Sequence, residues 1–322
     1  MNPSTNRRGL LTGSGMLGLG AMMPMLGSAA MAQATAPMTG SGNSGGFDPS
    51  DPLQNAEVLA RMNLGIDPGT NYGWFKGRVF AVIGDDQVIT PLFDLEGFGA
   101  NRMEPLGGAR YRSLHREVGY YKDLRTGQIM ETWKNPMLNG EEVKVSHIHN
   151  DPVNAIIGPT IEAKLGEGQV TEFPLRLPWT FMGDIAMTSF DVNTRWQNVL
   201  DPKEWPRESN GREFVRVSEY LQFVVKRADL DNWRNLKRIP QHGSWQRLGT
   251  WVPWMLMGDK PGHLFYRSHT MALNSTDDLP ADIRAYTEKN FPKYLEAPES
   301  WTTPNETSFE VYKKENRPVP IS

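Results

Sequence analysis

Phe214-Val215-Arg216-Val217-Ser218-Glu219-Tyr220-Leu221-Gln222-Phe223-Val224-Val225 is the longest run in this 322-residue chain that reads as one strand. Alternate side chains of a strand point to opposite faces. Val215, Val217, Glu219, Leu221, Phe223 and Val225 therefore share a side, on which Glu219 is the lone charge. Shorter β-prone runs, separated by Gly, Asp, Asn and Pro, fill the chain from Val79 onward. Leu114 to Tyr121 and Ile129 to Trp133 form a hairpin through Asp123-Leu124-Arg125-Thr126-Gly127, with Gly127 where positive φ is wanted. Val143 to His149 follows, then a Pro- and Gly-punctuated section with Trp179 and Phe181. Trp251 to Met257 and Leu264 to Met271 straddle a turn at 258–262. Helical patterning is confined to a segment capped by Asp51-Pro52 and stopped at Gly65, and to Pro280–Leu295, which Pro292 breaks. Consecutive strands without regular intervening helices predict a mainly β protein: a single antiparallel, barrel-like (lipocalin-like) sheet with a few peripheral helices. Closure would remove exposed edges.

The same alternation selects candidate functional groups. A carboxyl on an apolar face has its pKa raised by desolvation, the condition for acid–base work near neutral pH. Glu219 is such a group, unless an arginine such as Arg267 pairs with it. In Val143-Lys144-Val145-Ser146-His147-Ile148-His149 the valines share a face with both histidines. That i, i+2 spacing offers His147 and His149 to one divalent metal, or leaves them as hydrogen-bonded structural residues. Phe265, Arg267, His269 and Met271 share a face, with Tyr266 on the reverse, so His269 and Arg267 are expected inside with the apolar pair. His115 shares a face with Glu117 and Tyr121 and is expected on a solvated surface. Trp245, Trp251 and Trp254, with Trp179, are candidates for an aromatic ligand wall or for core packing.

The N-terminus carries the address. Asn6-Arg7-Arg8-Gly9-Leu10-Leu11, a mild apolar run and Ala30-Met31-Ala32 read as a twin-arginine signal peptide over residues 1–32, cleaved after Ala32. Residues 33–46 read as a disordered spacer and 47–322 as one β-rich domain. The expected location is periplasmic, reached through the twin-arginine export machinery, with no stable membrane anchor. Losing Arg7 and Arg8 shifts the formal net charge from −3 to −5. No basic stripe remains to hold nucleic acid. Cysteine is absent, which excludes disulfides, thiolate metal sites and a cysteine nucleophile. Dinucleotide fingerprints, phosphate loops, Gly-x-Ser-x-Gly elbows and His-Glu-x-x-His are also missing.

Gly243-Ser244-Trp245-Gln246-Arg247, Trp251-Val252-Pro253-Trp254-Met255-Leu256-Met257-Gly258 and Pro261-Gly262-His263-Leu264-Phe265-Tyr266-Arg267 carry a resemblance. With Asp201-Pro202 and Trp205-Pro206-Arg207-Glu208-Ser209, they resemble a family of bacterial proteins known as domain of unknown function 1838, from about Asp51 to Tyr312. The resemblance implies one exported domain and supplies no activity. The residues themselves predict an enzyme acting on a small hydrophobic or aromatic metabolite by lyase, hydratase or isomerase chemistry. Glu219, His147, His149 and His269 are its candidate acids and bases; Trp179, Trp245, Trp251, Trp254 and Arg267 are its candidate ligand contacts. The alternative is a non-catalytic lipocalin-like binding protein for a hydrophobic ligand.

Overall fold

The computed structural model describes residues 26–27, 46–84, 89–164 and 170–320. The expected leader (1–32) and spacer (33–46) lie outside the described residues, apart from Leu26, Gly27 and Gly46. Ten strands form one antiparallel sheet: β1 (Asn71–Val82), β2 (Thr90–Gly107), β3 (Arg110–Lys122), β4 (Ile148–Asn150), β5 (Ala155–Ile157), β6 (Thr180–Met182), β7 (Ile185–Gln197), β8 (Phe214–Lys226), β9 (Gln241–Gly249) and β10 (His263–Leu273). Their order is β6-β7-β8-β9-β10-β1-β2-β3-β4, and β5 also pairs with β3. The chain is thus an up-and-down meander whose first and last strands, β1 and β10, lie side by side. Among the described residues no pairing joins β6 to β4 or β5, so the hydrogen bonds leave the sheet open.

Register aligns the inward residues into rows. Val192, Glu219, Arg247, Tyr266, Val79 and Phe93 face one another in sequence across β7, β8, β9, β10, β1 and β2. The next row runs Phe190, Leu221, Trp245, Ser268, Gly77, Leu95 and Tyr121. Small residues in such rows let neighbouring strands close up. A Cβ placed on Gly97 would lie 2.0 Å from the Val118 carbonyl oxygen and 2.6 Å from Gly119 Cα, so any side chain there would push β2 off β3.

Two cores follow. The inner one holds Val79, Phe93, Leu95, Leu221, Phe223, Trp245 and Tyr266. The second lies on the opposite face of β2 and β3, where Phe98, Ala100, Val118 and Tyr120 pack beneath α3 (Ala281–Asn290) through Ile283. Burial on both faces is why β3 has no solvated side near its end: Tyr120 and Tyr121 are both buried. Lys122 anchors α3, bonding Glu96 at 2.8 Å and Asp282 at 2.7 Å. α1 (Pro52–Asn63) starts where Asp51 accepts a hydrogen bond from the Leu53 amide, with Pro52 in the first turn. It packs on β3 and β5, and Leu64 just beyond it meets Gly73 of β1. Between β9 and β10, residues 251–257 are buried throughout, with Leu256 in the left-handed region at φ 56°. α2 (Arg227–Asp231) and α4 (Ser308–Glu315) complete the helices among the described residues, with short 3₁₀ turns. None of these helices is long and apolar enough to cross a membrane.

Candidate functional site

Three strands deliver Glu219, Arg247 and Tyr266 side by side in one inward row. Strand β8 alternates as its sequence predicts, so Val215, Val217, Glu219, Leu221, Phe223 and Val225 are all buried. Its partner is the cation directly opposite on β9: Arg247 Nε lies 3.6 Å from Glu219 Oε1. Arg267, the cation expected there, is exposed. The contact is an ion pair too long for a good hydrogen bond, and both atoms are buried without a hydrogen-bond partner. The guanidinium also sits 5.3 Å from the centre of the Tyr266 ring, a cation–π distance.

Aromatic residues close this row. Trp245 packs 5.6 Å from Tyr266. Trp254, from the segment crossing between β9 and β10, lies 5.5 Å from Phe93, 5.1 Å from Tyr121 and 5.8 Å from Trp133. The indole N–H groups of Trp245 and Trp254 and the Tyr266 hydroxyl are buried without a hydrogen bond of good geometry; the nearest polar groups are the Glu219 carboxyl for Trp245 and the Tyr121 phenol for Trp254 and Tyr266. Burial holds the Glu219 carboxyl above the usual carboxylate range, against the opposing pull of Arg247 and of the Trp245 indole. Burial likewise raises the phenols of Tyr121 and Tyr266, which therefore remain neutral donors. The cluster combines one carboxyl whose pKa burial raises, one fixed cation and several buried polar donors in a sheltered place.

The other expected groups lie elsewhere. On β10 the expected phase is reversed: Leu264, Tyr266 and Ser268 are buried, whereas Arg267, His269 and Met271 are exposed on the outer face. The apolar outward residue that misleads the reading is Phe265, which packs across strands against Phe80 at 6.2 Å. Val143 to His149 is not one strand. It divides into Glu141–Lys144, paired with Thr132–Asn135, and β4, paired with β3. Alternation holds through Val145 to His147 and then fails. His147 is buried beside Tyr121, accepting that residue's backbone N–H on Nδ1 at 3.2 Å, and burial lowers its pKa to about 4. His149 contacts the His147 carbonyl through Nδ1 and Glu315 of α4 through Nε2, both at 2.9 Å.

With both nitrogens of His149 engaged and Nδ1 of His147 taken, the pair does not fit a shared metal. No group of three or more His, Cys, Asp or Glu among the described residues could hold one either. Trp179 donates its indole N–H to Asn55 Oδ1 at 2.9 Å and packs on Phe47, which ties α1 down. Trp251 donates to the Lys260 carbonyl at 3.1 Å. Neither offers a free polar atom to the Glu219 row. His115, expected in solvent, is fully buried, and burial pushes its pKa down to about 3.

Sequence reasoning thus placed Glu219, Trp245 and Trp254 among the candidates and missed Arg247, Tyr266 and Tyr121 as site residues. Arg247 had a readable signal, being two residues from Trp245 on one strand. The two tyrosines had none, since only strand register brings Tyr266 in and only long-range packing on Trp254 brings Tyr121 in.

A family model described as a protein of unknown function (DUF1838) matches residues 69–316. None of the curated proteins compared with the chain matches it. Among solved structures, the crystal structure of Rv2717c from M. tuberculosis is similar over 69% of this chain and 98% of that one, at 11% identity and a TM-score of 0.19. So loose a superposition says nothing about the site.

Proposed function

Since the chain belongs to the DUF1838 family, whose description carries no activity, we propose from the site alone that it is a periplasmic enzyme acting on a small hydrophobic or aromatic metabolite. Glu219 is the proton carrier. Arg247 and the phenols of Tyr266 and Tyr121 steady charge on a substrate oxygen, and Trp245 and Trp254 supply the apolar walls. A carboxyl that gives a proton at one atom and retrieves one at a neighbour serves lyase, hydratase or isomerase chemistry without a nucleotide.

The reading includes a sheet curled into a barrel-like cradle. Tyr121 and Tyr266 stand three strands apart, about 14 Å in a flat sheet, yet the two phenols are close enough for each to shift the other's pKa. The observation that carries the proposal is the buried Glu219–Arg247–Tyr266 row with its unpartnered polar atoms.

Full-length protein is exported, purified and incubated with small-molecule extracts, and mass spectrometry follows conversion. Glu219→Gln is expected to abolish conversion and still retain the substrate; undiminished conversion by the variant rejects the role. A binding protein is the second reading, favoured by the ion pair itself, which can orient a ligand without turning it over. Recovery of a tightly held, chemically unaltered ligand would select it. Export is tested by Arg7→Lys with Arg8→Lys, expected to leave the protein in the cytoplasm; continued periplasmic accumulation would refute the twin-arginine route.

A further inference from the structure

Away from the Glu219 row, where the end of α1 meets β1, β2, β3, β9 and β10, the structure holds a small pocket with a polar floor. Its space, about 20 Å³, suits one hydroxyl-sized or water-sized group. Asn63, His115, Gln241 and Thr270 line it. Each presents a buried polar atom with no partner: Asn63 Oδ1, both ring nitrogens of His115, Gln241 Oε1 and Thr270 Oγ1. Such atoms are costly to leave unpaired, and five of them from four residues in one pocket mark a place built to be filled. Leu64 and Phe75 give the pocket apolar walls, and half-exposed Met271 stands at its outer side.

The hydrogen-bond inventory selects the occupant. Two amide oxygens accept only, the Thr270 hydroxyl does either, and a neutral imidazole has one N–H and one lone pair. His115 is neutral across the physiological range, so the floor carries no charge of its own. A carboxylate, which only accepts, would face Asn63 and Gln241 oxygens. An ammonium would bring an uncompensated charge into the interior. A hydroxyl both donates and accepts. We propose that this pocket is a second ligand site, taking the hydroxyl head of an uncharged alcohol, which accepts from the His115 N–H and the Thr270 hydroxyl and donates to the amide oxygen of Asn63 or Gln241, while its apolar chain leaves past Leu64.

The probe is 1-hexanol, with hexanoate as the charged comparison, titrated into the full ¹⁵N-labelled chain while the His115 ring-nitrogen resonances are followed. The expected result is a saturable shift with 1-hexanol and none with hexanoate. Thr270→Val and Gln241→Leu each remove an atom without a protein partner, so the fold is retained. Each should weaken 1-hexanol about fivefold, whereas Thr270→Ser should not. An immobile His115 signal up to the solubility limit of 1-hexanol would mean that water alone fills the pocket and would overturn the proposal. Equal binding of hexanoate, or unchanged affinity in both variants, would overturn it too.

Discussion

Acid should destabilise this fold through His147, and the effect can be isolated by His147→Gln. An imidazole titrates near 6.5 in the unfolded chain but near 4 in the native state, where burial is the largest cause. Glu131 opposes that shift and His149 adds to it. The geometry agrees, because Nδ1 uses its lone pair to accept the Tyr121 amide and cannot also carry a proton. The native state therefore binds a proton less readily than the unfolded one. The stability involved is fully present above pH 6.5 and is lost as pH falls towards 4, at about 1.4 kcal/mol per pH unit. Between pH 7.5 and 4.5 the loss due to this residue is about 2.5 kcal/mol. The assay is urea unfolding of the wild-type chain and the variant across that interval. Their difference cancels the titration of His115 and the carboxylates, and it should shrink or reverse by the stated amount on acidification. A difference that stays constant with pH would refute the reasoning.

Three further substitutions test how the site is held. Arg247→Met leaves the Glu219 carboxyl buried without its cation and should cost about 3–5 kcal/mol in urea unfolding. Adding Glu219→Leu should recover most of that, and failure to recover would show that Arg247 matters mainly by packing. Trp179→Phe removes one of the two donors to Asn55 Oδ1, leaving the Leu177 amide at 3.3 Å, and should cost about 0.5–1.5 kcal/mol. It should leave any ligand at the Glu219 row bound as before, and a loss of that binding at full folding would place Trp179 in the site after all.

How much the chain discloses on paper depends on whether one strand or several must be read together. On β8 the alternation is clean and one-sided, so Glu219 was legible as a buried carboxyl. On β10 both faces carry large apolar residues, and Phe265, whose outward ring rests on Phe80 of the neighbouring strand, set the wrong phase for Arg267 and His269. His147 and His149 shared a face only while Val143–His149 was taken as one strand. Its two parts pair with different neighbours, a matter of long-range hydrogen bonding that local pattern does not contain. The β character, the caps of α1 and the candidacy of Glu219 are local properties, fixed by side-chain period and turn chemistry within about a dozen residues. Arg247 opposite Glu219 and Tyr266 beside it depend on register, and Tyr121 of β3 on packing against Trp254, both of which arise only when distant parts of the chain come together.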